Sequence, residues 1–217
     1  MIPLSLFSSV RRILALGAHS DDIEIGAGGT LLQAIQRQPE VAPAVYPGEG
    51  LEIWWVVFSA PKARYGEASD SAEEFLAGVS QKYIQIGSFR ESYFPTEWAG
   101  IKNWFEEIAR TFNPDLVLTH YRNDLHQDHR VLSDLAWNTF RNHLILEYEI
   151  LKYDGDFGTP NVYVPLSEEA VDRKIALLMK HFRHPAVKAL VYGEYLRGHD
   201  APAGRRIGLE FPPKWNL

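Results

Sequence analysis

The sequence predicts an α/β protein, a Rossmann-like three-layer sandwich with a mostly parallel central sheet. Short apolar runs that suit buried strands alternate with amphipathic segments of about 10–15 residues, a pattern typical of βαβ units. The length of 217 residues suits one domain over 1–217, because no repeat or long linker separates two cores. Ligands of such sheets bind beyond the carboxyl ends of the strands, so we expect the functional site there.

The predicted strands are short runs of apolar and β-branched residues. Arg12–Gly17 is apolar and ends in glycine, which suits a fully buried first strand. Leu51–Ser59 is rich in β-forming side chains and suits a second central strand. The remaining predicted strands are Lys82–Ile86, Leu116–Thr119 and Leu144–Leu151.

The predicted helices are segments whose apolar residues recur at helical spacing. Trp98–Phe112 places five large apolar side chains on one face, and Ser167 is the expected N-cap of a helix that runs through Lys180. Gln38–Gly50 contains three prolines and two glycines and is predicted to be a loop, and the chain after Phe182 is predicted to be irregular. The other predicted helices are Leu31–Gln38, Ala68–Val79 and Gln127–Arg141.

Composition narrows the class of protein. The net charge of −6 argues against a nucleic-acid partner, and no apolar run approaches the roughly 18 residues of a membrane span. The absence of cysteine excludes disulfides, thiolate ligands and a thiol nucleophile, and cytoplasmic localisation is the default expectation. The six tryptophans and ten tyrosines suit either a carbohydrate pocket or a core and oligomer interface.

Two polar segments, each of which follows a predicted buried strand, carry the chemistry. The first is His19-Ser20-Asp21-Asp22-Ile23-Glu24, and the second is His126-Gln127-Asp128-His129. A chain without cysteine binds a transition metal through nitrogen and oxygen, which these segments supply. Two histidines and one carboxylate holding Zn²⁺, with water in the open position, is a known arrangement for amide hydrolysis.

Spacing within the segments suggests a division of roles. Neighbouring Asp21 and Asp22 in an extended loop would point in opposite directions, so one could bind metal while the other takes a proton from water. His126 and His129, three apart at a helix start, can share a face. Asp128 could receive an imidazole N–H. Either segment alone is usually a solvated turn or helix cap, so the prediction depends on their joint occurrence.

The two segments resemble the signature blocks of the LmbE-like (PIG-L) zinc de-N-acetylases. Gly17–Gly26 is similar to the block Ala-His-Pro-Asp-Asp-x-Glu, with Ser20 in place of the proline, and Asn123–His129 is similar to the block His-x-Asp-His. The likeness extends from about Arg12 to Lys180. At the end of the chain, where relatives commonly have Ala-Glu-x-Phe, this sequence reads Gly208-Leu209-Glu210-Phe211, with the glutamate displaced by one.

The resemblance implies site residues as well as a Rossmann-like fold. It implies one Zn²⁺, or another divalent transition metal, bound by His19, Asp22 and His129. Asp21 would be the general base, His126 would stabilise the oxyanion or protonate the leaving amine, and Asp128 would orient His126. Arg64, followed by Glu67-Ala68, is similar to an Arg-x-x-Glu-Ala segment that holds substrate in the family, although a surface role is equally open.

The implied activity is removal of an acetyl group from an N-acetylated amino sugar or sugar conjugate. Its partner would be a small molecule, with homo-oligomer formation left open. One alternative is a zinc amidase that acts on a sugar–thiol conjugate. The other is a Rossmann-like module that binds a nucleotide or sugar without chemistry, and metal content separates it from an enzyme.

Three further features lie outside the two polar segments. Gly26-x-Gly28-Gly29 lacks the spacing of a dinucleotide loop and more simply permits a tight entry into a helix. His120, at the end of a strand, suits either support of a metal ligand or plain packing. Lys152–Asp156 reads as a turn with solvated charges.

Overall fold

The protein is described by a computed structural model over residues 9–45, 50–152 and 155–182. One five-stranded sheet forms its centre, in the order β3-β2-β1-β4-β5, and every neighbouring pair is parallel. The predicted α/β class is therefore confirmed, and the described sheet is parallel throughout. The strands are β1 (Arg12–Gly17), β2 (Glu52–Val57), β3 (Gln81–Ile86), β4 (Leu116–His120) and β5 (Leu144–Tyr148).

Helices cover both faces of the sheet because the strand side chains alternate between two apolar clusters. Ile13 and Ala15 face one cluster, whereas Leu14 and Leu16 face the other. Helices α1, α2, α3 and α6 pack in the first cluster, and α4 and α5 pack in the second. The helices are α1 (Asp22–Gly26), α2 (Gly28–Val45), α3 (Lys62–Phe75), α4 (Trp98–Thr111), α5 (Gln127–Thr139) and α6 (Glu168–His181), with a 3₁₀ turn at Phe94–Thr96.

The strand order reverses between β1 and β4. From β1 the chain moves outward through β2 to β3, then returns to the other side of β1 for β4 and β5. The loops that leave the carboxyl ends of β1 and β4 therefore diverge and open a crevice between them. Both polar segments singled out in the sequence enter this crevice, since His19 lies two residues beyond β1 and His126 lies six residues beyond β4.

Two helices are longer or earlier than predicted. Helix α2 continues to Val45, so the predicted loop Gln38–Gly50 is wrong over residues 38–45, which are helical. Proline in a helix removes one N–H and disfavours the preceding turn, but it kinks a helix as readily as it ends one. Helix α3 begins at Lys62, directly after Pro61, rather than at the predicted Ala68. The sequence did not indicate this earlier start because the first turns of the helix are exposed and carry no apolar periodicity.

The prediction that Asp21 and Asp22 lie in an extended loop is also wrong. Asp21 is the N-cap of α1, and Asp22 is the first residue of that short helix. Carboxylates are favoured at a helix N-terminus by the orphan N–H groups and the helix dipole. Asp21 and Asp22 nevertheless contact different partners, as described below.

The predicted irregular chain after Phe182, including Gly208–Phe211, lies outside the described residues. Within the described ranges, no helix combines the length and the apolar character that crossing a bilayer requires.

Glycine 26 is required by the close approach of Tyr148. A Cβ at Gly26 would lie 2.1 Å from Cδ2 of Tyr148, whereas a Cβ at Gly66 in α3 would meet nothing within 4 Å. We expect Gly26→Ala to lower the free energy of unfolding by roughly 1–3 kcal/mol through overpacking. Gly66→Ala should raise it by about 0.5–1 kcal/mol through helix propensity. Urea denaturation measures both, and equal effects of the same sign would contradict the packing assigned to Tyr148.

Candidate metal centre

Three buried side chains bring one ligand atom each to a common point in the crevice. Nδ1 of His19 lies 3.4 Å from Oδ2 of Asp22, and Nε2 of His129 lies 3.5 Å from the same oxygen. The two ring nitrogens are 3.3 Å apart. The three residues named from the sequence as metal ligands therefore meet in space, although His19 and His129 are 110 positions apart.

The triangle of ligand atoms matches the size of a small divalent ion. A tetrahedral ion with bonds of about 2.0–2.2 Å separates its ligand atoms by about 3.3–3.6 Å. The observed separations of 3.3, 3.4 and 3.5 Å fall in that range. Two imidazoles and one carboxylate with a fourth position left over suit a catalytic rather than a structural transition-metal site. The residues present thus fit the metal that the family resemblance implies.

Charge balance within the centre shifts the pKa values of its members. Burial alone would raise the pKa of Asp22, but His129, His120 and His19 outweigh it and hold that pKa well below the usual range. Burial lowers the pKa of His19, yet Asp22 and Asp128 outweigh it and raise the pKa to about 10. Burial likewise lowers the pKa of His129, and Asp22 and Asp124 raise it to about 9.

Asp124 orients His129, a contact that the sequence reasoning missed. Nδ1 of His129 donates to Oδ2 of Asp124 at 2.9 Å, which leaves Nε2 as the ligand atom. The backbone N–H of His126 donates to the other carboxylate oxygen at 2.7 Å. A carboxylate that holds the far nitrogen of a metal-binding histidine fixes its tautomer and raises its basicity. The available signal was an aspartate five residues before His129, just after β4.

Asp128 orients His19 rather than His126, contrary to the expectation from the sequence. Nε2 of His19 donates to Oδ2 of Asp128 at 3.0 Å, so Nδ1 of His19 is left as the ligand atom. The backbone N–H groups of Ser92 and Phe94 also donate to the Asp128 carboxylate, at 2.6 and 3.1 Å. A second grouping of His19, His126 and Asp128 could also hold an ion by distance, and it shares His19 with the first grouping.

His126 lies at the N-cap of α5, and its ring lies beside the rings of both histidine ligands. The backbone N–H of Asp128 donates to its Nδ1 at 3.2 Å, so the neutral ring carries its proton on Nε2. Burial, followed by repulsion from His129 and His19, lowers the pKa of His126 and favours this neutral form. The ring centroids of His19 and His129 lie 4.9 and 4.6 Å away. His126 can therefore donate a hydrogen bond beside the ligand atoms.

Asp21 lies next to Asp22 in the chain and forms an ion pair on the outer side of the centre. Nη2 of Arg64 donates to Oδ2 of Asp21 at 3.2 Å, and Arg64 also contacts Glu67 at 3.2 Å. Burial, together with repulsion from Asp22, raises the pKa of Asp21 against the opposing effect of Arg64. A carboxylate whose pKa is raised accepts a proton more readily, as a general base requires. Arg64, predicted to hold substrate, is placed here against the predicted base.

His120 packs flat against His129 and contacts the same carboxylate as the ligands. Its ring centroid lies 4.0 Å from that of His129, and its Nε2 lies 3.3 Å from Oδ2 of Asp22. That nitrogen also accepts the backbone N–H of Ala18 at 3.0 Å. Burial and the charge of His129 lower the pKa of His120 to about 4, so its ring is neutral at pH 7. These contacts place His120 against the ligands His129 and Asp22, and both roles predicted for it stay open.

The sequence matches the model of a known protein family. The family model described as GlcNAc-PI de-N-acetylase (PIG-L) matches residues 14–140. This range contains both polar segments, from His19 to His129.

Solved structures share the fold at low sequence identity. A triple mutant of a deacetylase of the teicoplanin biosynthetic pathway is 17% identical, with a TM-score of 0.63 over 85% of this chain and 87% of that one. N,N'-diacetylchitobiose deacetylase from Pyrococcus horikoshii is 18% identical, with a TM-score of 0.55 over 88% and 77%. The 4-carboxy-2-hydroxymuconate hydratase from Pseudomonas putida is 14% identical, with a TM-score of 0.60 over 86% of each chain.

The raised pKa values of His19 and His129 predict that ion binding releases protons. Below about pH 9 both rings are protonated without an ion, so a cation must displace about one to two protons at pH 7. Affinity should therefore rise as the pH rises towards 9. Titration calorimetry of Zn²⁺ binding at pH 7, in buffers of different ionisation enthalpy, counts the released protons. An observed enthalpy that is the same in every buffer would contradict the protonation states assigned here.

Proposed function

Because the chain belongs to the GlcNAc-PI de-N-acetylase (PIG-L) family, we propose that it is a zinc-dependent hydrolase that removes acetyl from an N-acetylated amino sugar or sugar conjugate. The observation that carries the proposal is the triangle of ligand atoms from His19, Asp22 and His129, with a carboxylate and a neutral imidazole beside it. The fold alone is not sufficient support, since a hydratase shares it.

Proton transfer is the role we assign to Asp21. A divalent ion held by His19, Asp22 and His129 would lower the pKa of a coordinated water and polarise the amide carbonyl. The Asp21 carboxylate accepts the proton that the attacking water loses, and its raised pKa favours this transfer. Arg64 fixes the orientation of Asp21 through the contact of 3.2 Å, and its remaining N–H groups can donate to substrate hydroxyls.

Stabilisation of the oxyanion is the role we assign to His126. Its Nε2–H donates to the carbonyl oxygen as negative charge develops there, and Asp128 supports the arrangement by holding His19. Asp21 then returns its proton to the amine nitrogen as the carbon–nitrogen bond breaks. The products are acetate and the amino sugar in its protonated ammonium form, which takes up both protons of the water, so one water is consumed and the protons balance.

The descriptions of the family and of one structural neighbour support the proposed substrate class. The family name refers to an N-acetylglucosamine conjugate, and one structural neighbour is a deacetylase of N,N'-diacetylchitobiose. Both descriptions point to an acetamido group on a sugar. The amidase acting on a sugar–thiol conjugate remains the competing reading within the same chemistry, and the products distinguish the two.

The decisive experiment is a screen for released acetate. Purified protein loaded with Zn²⁺ is incubated with N-acetylated sugars, their nucleotide-linked forms and N-acylated sugar–thiol conjugates, and free acetate and amine are measured. We expect the acetamido sugars to yield acetate. Asp21→Asn should lower kcat by about 10²–10⁴-fold while keeping the ion, since that is what a positioned acid–base group contributes.

Asp134→Asn, on an exposed position of α5, is the matched control and should keep full activity. Full turnover by the Asp21→Asn protein would remove Asp21 as the base. A metal-free protein that binds a nucleotide and releases no acetate would favour the non-catalytic module instead.

Removal of either histidine ligand should remove the ion itself. The proposal predicts about one zinc ion per chain in the parent protein, and we expect His19→Ala and His129→Ala to contain far less, because two ligands do not complete the site. His143→Ala is the control, since His143 bonds to Asn113 beside the amino end of β5. Elemental analysis after dialysis measures the difference. Undiminished zinc in a variant would take that residue off the ligand set.

A further inference from the structure

We propose that Lys152, which follows β5 and lies outside the range matched by the family model, positions the metal ligand His129 through Asp124. This inference rests on the proposed function, because it concerns the same centre. From composition the segment that holds Lys152 was expected to be a turn with solvated charges. In the structure, Lys152 contacts Asp124, the partner of His129, and Asp156 at the other end of the segment pairs with Lys152.

One oxygen of Asp124 receives both groups. Nζ of Lys152 lies 3.0 Å from Oδ2 of Asp124, and Nδ1 of His129 lies 2.9 Å from the same atom. The carboxylate is only 2% exposed, so its charge has little stabilisation from water. The ammonium of Lys152 supplies the compensating charge and fixes the direction in which this oxygen faces His129.

Asp156 holds Lys152 in place from the other side. Its carboxylate is 4% exposed, pairs with Nζ of Lys152, and also accepts the backbone N–H of Leu125 at 2.6 Å. Leu125 lies between Asp124 and His126, so the pair of Lys152 and Asp156 closes over the loop that carries both residues. The loop between β4 and α5 is thereby fixed by the chain that follows β5.

These contacts assign Lys152 to positioning rather than to substrate binding. Its side chain is 16% exposed, and its ammonium is already shared between two carboxylates. Removing one partner of a buried ion pair leaves the other charge uncompensated, which distorts the remaining contacts. Partners that orient metal-binding histidines typically change metal affinity by about 10–100-fold when they are mutated.

The test compares metal affinity rather than activity. The Kd for Zn²⁺ is measured by competition with a chelating dye, and the visible bands of the Co²⁺-loaded protein report ligand geometry. We expect Lys152→Met to raise the Kd by about tenfold or more and to alter the Co²⁺ bands. Lys152→Arg should restore most of the affinity, since a guanidinium can donate to both Asp124 and Asp156. Lys180→Met, which removes an exposed pair with Glu74, is the control and should bind as the parent does.

Asp156→Asn provides a second route if Lys152→Met does not fold, because it keeps the size of the side chain and removes only its charge. It should raise the Kd by less than Lys152→Met does. An unchanged Kd in either folded variant, or a Lys152→Arg protein no better than Lys152→Met, overturns the inference and leaves the proposed function intact. A parent protein that binds no divalent ion overturns both.

Discussion

The buried carboxylate of Asp22 is the constraint on which the centre depends. Its Oδ2 lies 3.3–3.5 Å from nitrogens of three histidines and accepts the backbone N–H of His19 at 2.7 Å. An anion in such a place is costly unless positive charge lies beside it. His120 cannot supply that charge, because its Nε2 accepts the Ala18 N–H and its pKa is low. The charge must come from protons on His19 and His129 or from a cation between them.

Protons on His19 and His129, or a cation between them, would each balance the charge of Asp22. The same residues could therefore keep the loop after β1 folded both with and without an ion. Two protonated rings and one divalent ion carry the same charge. The exchange therefore changes the occupant of the centre without changing its electrostatic balance. Asp124 and Asp128 hold the far nitrogens of the two rings in both states, so little rearrangement is needed.

The meeting of His19 with His129 could be predicted because it depends on topology. Both residues follow strands of a parallel sheet, and the strand order places β1 beside β4. The partner of Asp128 could not be predicted from spacing. The predicted partner was His126, but residues two apart at a helix start do not face each other, and Asp128 instead pairs with His19, which is 109 positions away. Such pairings depend on tertiary contacts that local patterns do not contain.

Burial of charged residues was also beyond the sequence. Lys152 and Asp156 have the composition of an exposed turn, and their burial depends on where β4 delivers Asp124. Likewise, the early start of α3 at Lys62 puts Arg64 on a helix facing Asp21, whereas its polar first turns carry no periodic signal. The central strands β1, β2 and β4 were predicted well because each is mostly apolar and buried, whereas the start of α3 was missed because its first turns are polar.

Ser92 has a φ of +67° and is the single non-glycine residue with positive φ in the described chain. An L-residue holds this backbone shape at a cost of the order of 1 kcal/mol or more, so a compensating contact is required. Its N–H donates to Asp128, the carboxylate that also orients His19. The turn at Ser92 and the metal ligand His19 thus both donate to the carboxylate of Asp128. Loss of the Asp128 carboxylate would therefore release a metal ligand and the turn at Ser92 together.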